Sequence, residues 1–200
     1  MEVDNERSYD LISGEWQKIR NSTVINKCIA DFTELLPPNG KILDIGCGTG
    51  YPVAQYLTER NFFVTGIDIS QKMIEKANGL KLKNAEFIKR DILDFSSDNL
   101  YDGVIAFDSL WHIAKNRQAD AYRKIASLMK RGAHFLFTGG NRNGETVGEM
   151  FNRKFYYGAL SVSELTELFN ELGFKIIALT EHYKEKTTGE RDLLAVAEKL

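Results

Sequence analysis

The chain has 200 residues, room for one domain with a sizeable core and too little for two at roughly 100–200 residues per domain. With 43% hydrophobic and 27% charged residues it is neither fibrous nor disordered. Its 26 basic and 28 acidic residues leave a net charge of −2, which supplies no field for nucleic acid or an anionic membrane. The longest apolar runs fall short of the ~20 residues that span a bilayer, and MEVDNERSYD lacks the basic start and apolar run of a signal peptide. A soluble cytoplasmic protein is expected. Cys28 and Cys47 are too few for a disulfide framework and lack the paired spacing of a zinc site, so no metal is expected.

Residues 8–38 predict a mostly helical cap, with apolar side chains recurring at Trp16, Ile19, Val24, Ile25, Cys28, Ile29, Phe32, Leu35 and Leu36 until Pro37 and Pro38 end it. KILDI (41–45), a short apolar run followed at once by glycines, suits a strand buried on both faces. From there strands and helices alternate. A second strand is expected over 62–69, then a helix near 71–78 capped by Ser70. Third and fourth strands follow over 85–92 and 101–108. A helix over 116–130 carries Ala119, Tyr122, Ala126 and Met129 on one face and ends at Gly132, before a fifth strand over 134–139. Residues 140–160, rich in Gly, Asn and aromatic side chains, are long for a connection and read as a functional loop or small lid. Ser161 and Glu164 have capping-box spacing ahead of an apolar stripe that ends at Gly173. Two last strands, 174–180 and 193–199, are joined by HYKEKTTGER, too short for a crossover helix, and must pair antiparallel. This order predicts an α/β, Rossmann-like sheet, mostly parallel, with helices on both faces and the ligand beyond the strands' carboxyl ends. KEK (184–186) reads as a solvated turn.

The sharpest local signal is Asp44-Ile45-Gly46-Cys47-Gly48-Thr49-Gly50, directly after the first strand, with Pro52 suited to the first position of the next helix. The spacing is not G-x-G-x-x-G, because positions 51 and 53 hold Tyr51 and Val53. Asp68 ends the second strand about 20 residues on, where a carboxylate accepts both hydroxyls of a ribose. Asp91 and Ile92 end the third, a carboxylate for an adenine amine beside an apolar cover for its ring. Cys47 has no visible base and earns no nucleophilic role.

Together with YDGVIAFDSLWHI and LMKRGAHFLF, these motifs resemble the class I S-adenosylmethionine-dependent methyltransferases, in particular the small single-domain members; the likeness runs from about residue 40 to 139 and includes the last two strands. It implies a seven-stranded sheet with the last strand antiparallel. It also implies S-adenosyl-L-methionine as cofactor and S-adenosyl-L-homocysteine as product. Carried over, Asp44, Gly46, Cys47, Gly48 and Gly50 line the methionine and ribose part. Asp68 and Ile69 meet the ribose, Asp91 and Ile92 hold adenine, and Phe107, Asp108 and Ser109 border the sulfonium. Methyl transfer asks mainly for alignment and desolvation. Where the acceptor is a hydroxyl or protonated amine a general base helps, and His112 is the first candidate and Asp108 the second. Tyr9, Trp16, Trp111, Arg142, Tyr156 and Tyr157 are the candidate contacts to a small-molecule acceptor, through O, N or C. Absence of [DN]-P-P-[YF] after strand four argues against adenine or glutamine amides, and no basic stripe points to nucleic acid. Two rival readings are a non-catalytic cofactor-binding subunit and a nicotinamide-dependent oxidoreductase.

Overall fold

The computed structural model describes residues 3–185 and 189–200. The N-terminal cap is two helices, α1 (Asn5–Arg20) and α2 (Lys27–Thr33), rather than one long segment. The Ser22 and Thr23 hydroxyls donate to the Ile19 carbonyl at 2.8 and 2.9 Å, which takes that acceptor out of the helical ladder and stops α1. Ile19, Val24 and Leu35, expected on the apolar stripe, are exposed.

β1 (Lys41–Ile45) coincides with the apolar run and lies between β2 (Phe63–Asp68) and β4 (Tyr101–Ala106), parallel to both. Ile42 and Leu43 are fully buried on opposite faces, which is what a continuous apolar run achieves inside a parallel sheet. α3 (Val53–Thr58) follows the glycine turn with Pro52 at its N-cap, one place earlier than expected. α4 (Gln71–Gly79) begins as expected, the Ser70 hydroxyl accepting from the Met73 N–H at 3.1 Å. β3 is shorter than predicted, Ala85–Lys89, because the Asp91 carboxylate accepts from the Leu93 N–H at 2.9 Å and turns the chain there.

A 3₁₀ turn over Leu110–His112 precedes α5 (Lys115–Ser127). Met129 is not on that helix: it begins β5 (Met129–Gly139), where it pairs with Tyr101 of β4. The 140–160 segment is not an irregular loop. It is an antiparallel hairpin of β6 (Gly144–Met150) and β7 (Arg153–Ala159), whose two turn residues Phe151 and Asn152 have φ of 52° and 57°, the left-handed pair that hairpin twist favours. Only Asn of the two advertises that turn, which is why the sequence read as a loop.

α6 (Val162–Glu171) carries the expected capping box: the Ser161 side chain takes the Glu164 N–H and Glu164 returns to the Ser161 N–H at 2.7 Å. β8 (Phe174–Glu185) and β9 (Gly189–Lys199) pair antiparallel and run through the polar segment expected to be only a turn, with Tyr183 opposite Arg191. Lys186 of the KEK run lies outside the described residues. The sheet order is β3-β2-β1-β4-β5-β9-β8, parallel up to β5, with β9 antiparallel between β5 and β8. On one face the rings of Phe135, Phe137 and Phe169 pack at 4.8 to 6.2 Å beside Tyr122. On the other, Ile29, Phe32, Val53 and Leu57 of α2 and α3 seal the sheet. Each such side chain contributes roughly 1.5–3 kcal/mol. Strand order reverses between β1 and β4, and the crevice above their carboxyl ends is where open α/β sheets bind ligands.

Candidate active site

The carboxyl ends of β1, β2, β3 and β4 deliver the glycine turn, Asp68, Asp91 and Phe107 to one cavity of about 340 Å³, covered from above by α1. That volume lies at the lower end of the roughly 300–1,000 Å³ of small-molecule sites. The glycine turn is pinned by the Gly46 and Cys47 N–H groups, which donate to the Ile67 carbonyl at 2.8 and 3.0 Å. Gly46 has φ +73° and a Cβ there would stand 2.3 Å from Ser109 Cβ, so glycine is required for both backbone and space. Gly48 lines the cavity; Gly50 does not, packing against Phe87 and Leu80 instead. Of the predicted cradle, Gly50 is therefore a turn residue.

Asp68 is held by two backbone donors, Gly48 N–H on Oδ2 at 2.9 Å and Ser70 N–H on Oδ1 at 2.8 Å. Burial nevertheless pushes its carboxyl up to about 6. Asp44, 3% exposed, is pushed up to about 7 by burial and then by the neighbouring Asp68. Its Oδ2 has no hydrogen-bond partner, and neither do the buried hydroxyls of Thr49 and Ser109 on the cavity wall. Asp44, inside β1, is not part of the cavity lining; the orphaned oxygens on the cavity wall are the Thr49 and Ser109 hydroxyls, which are costly unless a ligand completes them. Arg20, from the last turn of α1, reaches the same cavity, its Nε donating to the Tyr51 carbonyl at 3.4 Å; burial lowers its guanidinium pKa while Asp108 and Asp44 favour the charge. Cys47 is buried and its thiol is pushed well up by desolvation, in keeping with an inert role. Ile69, Asp91, Ile92 and Phe107 also line the cavity.

His112 stands on the cavity wall in the 3₁₀ turn after β4. Its Nδ1 faces the Tyr156 carbonyl at 2.9 Å, which can only accept, so Nδ1 carries the proton and Nε2 the lone pair. Nε2 receives the Tyr9 hydroxyl at 2.8 Å and the Trp111 Nε1–H at 3.2 Å. Burial drives its pKa down to about 4, so the ring is neutral at pH 7. Asp108 is a different case. Arg191 holds it in a fork, Nε to Oδ1 at 3.0 Å and Nη2 to Oδ2 at 2.7 Å, and Thr138 Oγ1 adds a third contact at 3.2 Å. With both oxygens occupied in this way, the expectation of Asp108 as a second base gives way to a structural role, joining the end of β4 to β9.

The predicted acceptor contacts divide. Tyr9 and Trp16 line the main cavity. Trp111, Tyr157 and the exposed Arg142 border a separate hollow beside the β6–β7 hairpin. The Tyr156 side chain faces an outer groove, its hydroxyl donating to Glu145 at 2.6 Å and accepting from the Lys115 N–H at 2.8 Å. It fastens the hairpin to α5, and its contact to an acceptor is withdrawn.

A methyltransferase-domain family model matches residues 36–187. The chain belongs to the class I S-adenosylmethionine-dependent methyltransferase family. An O-methyltransferase of Aspergillus nomiae is 30% identical over 153 residues, covering 70% of this chain and 67% of that protein. An O-methyltransferase of Penicillium expansum is 32% identical over 74% of this chain and 56% of its own length, so the chain spans between about half and two thirds of these relatives. A crystal structure of an S-adenosylmethionine-dependent methyltransferase from Methanosarcina mazei superposes with a TM-score of 0.73 at 20% identity, over 89% of this chain and 99% of the other. That likeness is one of fold. Membership in this family accounts for the glycine turn and for the acids at the strand ends. It does not account for Arg20 or Arg191, which sequence reasoning missed: Arg20 lies outside every motif, and the only signal for Arg191 is a cation in a strand that approaches the β4 end through the antiparallel return.

Proposed function

We propose that this chain transfers a methyl group from S-adenosylmethionine to a hydroxyl oxygen of a small molecule. The observation that carries the cofactor is the cavity at the glycine turn, where Asp68 is held by two backbone donors and the buried hydroxyls of Thr49 and Ser109 have no partner; Asp44, outside the cavity lining, is a desolvated carboxylate whose unpartnered Oδ2 calls for a cationic donor, and the ammonium of the cofactor's methionine part is one. Arg20 suits the carboxylate of the same part. The free lone pairs of Asp68 take the ribose hydroxyls, with Gly46, Cys47, Gly48 and Ile69 alongside; Asp91 and Ile92 take adenine, and the Phe107 ring flanks the sulfonium. Bound there, the sulfonium supplies an electrophilic methyl carbon.

The protein's own contribution is enclosure and the orienting of the acceptor's hydroxyl. α1 caps the site and excludes water, held in place by the β6–β7 hairpin through Asn5 and Ser8. The lone pair on His112 Nε2 accepts from the acceptor's hydroxyl, the ring being fixed in the required tautomer by the Tyr156 carbonyl. Oxygen as the accepting atom rests on this acceptor geometry and on the O-methyltransferase relatives. Cys28 and Cys47 are both free and buried, which suits a reducing cytoplasm. The test is turnover with methyl-labelled cofactor and a panel of hydroxyl, amine and carbon acceptors. Label in an ether product with equimolar S-adenosylhomocysteine supports the reading; cofactor binding with no label transferred to any of them supports the non-catalytic subunit instead.

A further inference from the structure

Tyr9 is the one side chain of α1 that engages the imidazole of His112, and it does so as a phenol. Its hydroxyl lies 2.8 Å from Nε2. Its ring meets the His112 ring edge-on at 5.3 Å and the Phe155 ring at 4.9 Å, with Trp16 closing the third side at 6.1 Å. An aromatic ring among three aromatic walls, with one hydroxyl on the Nε2 lone pair that it shares with the Trp111 N–H, is the binding pose a phenolic small molecule needs.

The helix that carries this phenol is fastened largely by exchangeable polar contacts. The Asn5 amide brackets the Tyr156 backbone at 2.9 and 3.1 Å. Ser8 donates to the Lys154 carbonyl at 2.8 Å, and Asp10 accepts from the Ser70 hydroxyl and the Lys72 N–H at 2.6 and 3.0 Å. Glu6 meets Lys89 in an exposed ion pair. Ile12 is the only large apolar side chain of α1 that is fully buried, and Tyr9 is half-buried. Such contacts are worth about 1 kcal/mol each where neutral or exposed and roughly 1.5–3 kcal/mol where the Asp10 carboxylate accepts, and have water as a ready substitute, so the first turns of α1 can shift enough for Tyr9 to yield its place. The way in is also present: Ile69, His112 and Ala114 line both the cavity and an outer groove between α1 and the hairpin, so the space beside His112 adjoins solvent.

We infer that Tyr9 is a built-in stand-in for the acceptor, which is a neutral phenol that displaces it and donates its own hydroxyl to His112 Nε2 between Phe155 and Trp16. This rests on the methyltransferase reading for what happens next but not for the binding itself. The probe is 4-methylphenol, the Tyr side chain cut at Cβ, titrated by calorimetry into the Tyr9→Ala protein, with toluene and 4-methylbenzoate as controls; Tyr9→Leu takes the same titrations if the alanine variant does not fold. The expected result is that 4-methylphenol binds about 3- to 10-fold more tightly than toluene, the ratio of one neutral hydrogen bond, that 4-methylbenzoate is weakest, and that adding His112→Ala removes the preference. Equal affinities for 4-methylphenol and toluene, tightest binding of the benzoate, a preference that survives His112→Ala, or no binding of any of them overturns the inference. Titration of the unaltered protein with S-adenosylhomocysteine is read separately, so a failure of the cofactor reading is not confused with a failure of this one.

Discussion

Replacing Asp44 by Asn should make the ligand-free protein more stable and the cofactor bind worse. Burial and Asp68 push the Asp44 carboxyl from 3.8 up to about 7. At about 1.36 kcal/mol per pH unit, a carboxylate forced to ionise in that environment costs up to roughly 4 kcal/mol, a ceiling that relaxation lowers to about 1–3 kcal/mol. The sign follows from which state holds the proton. Between pH 7 and 3.8 the folded protein keeps a proton that the unfolded chain has released, so this group's contribution to stability rises as pH falls through that window and is least favourable above pH 7. Asn does not titrate. Urea unfolding should therefore show Asp44→Asn about 1–3 kcal/mol more stable than the parent at pH 8, with the difference shrinking as pH falls below 7 and approaching zero only near pH 4. Calorimetry at pH 8 should show S-adenosylhomocysteine affinity reduced about 10- to 150-fold, the worth of a charge-assisted hydrogen bond. A variant less stable than the parent at pH 8, or a gain independent of pH, would refute the reasoning.

Further outcomes are expected. Asp68→Ala should weaken S-adenosylhomocysteine binding about 10- to 150-fold, while circular dichroism shows the fold retained; an unchanged dissociation constant removes Asp68 from the ribose. His112 titrates in the opposite sense to Asp44: its pKa of about 4 against 6.5 in the unfolded chain means stability that is present above pH 6.5 and lost as pH falls towards 4, about 2 kcal/mol of it by pH 5. Comparing urea midpoints of the parent and His112→Asn at pH 7 and pH 5 reads this directly, since the variant should lose that part of the pH dependence. In turnover, His112→Ala should lower the rate while leaving the S-adenosylhomocysteine dissociation constant within about 3-fold of the parent, an interaction of well under one hydrogen bond. Gly46→Ala combines a left-handed backbone with a Cβ 2.3 Å from Ser109 Cβ; it should destabilise by roughly 2–4 kcal/mol, and thermal unfolding at the parent's temperature would contradict the close approach.

The central sheet was legible because its signals are local and physical. KILDI is an uninterrupted apolar run, and a strand buried on both faces needs one; the observed strand has the predicted bounds. Ser70 and Ser161 marked helix starts because a capping hydroxyl must stand at that position. What failed were features decided by tertiary partners. Met129 continues the helical period of α5 in sequence but pairs with Tyr101 in the sheet. The hairpin at 144–159 has a Phe at a left-handed turn position, where sequence preference argues the other way. In the site, Asp68 and Asp91 reach the cavity as expected because the fold fixes acids at strand ends, whereas Asp44 lies inside β1 and outside the cavity lining. The bidentate Asp108–Arg191 pair joins residues 83 positions apart, and no local pattern could disclose that it removes Asp108 from the role of base. Arg20 likewise gains its place through α1 folding over the cavity.

The most direct test of the account is calorimetric titration of the purified protein with S-adenosylmethionine, S-adenosylhomocysteine and NADH at pH 8, where Asp44 is ionised. Binding of both adenosyl compounds at micromolar concentration, with NADH showing none, is the result predicted by a cavity built from the glycine turn, Asp68 and Asp91. Binding of NADH in place of the adenosyl compounds, or of none of the three, would contradict it.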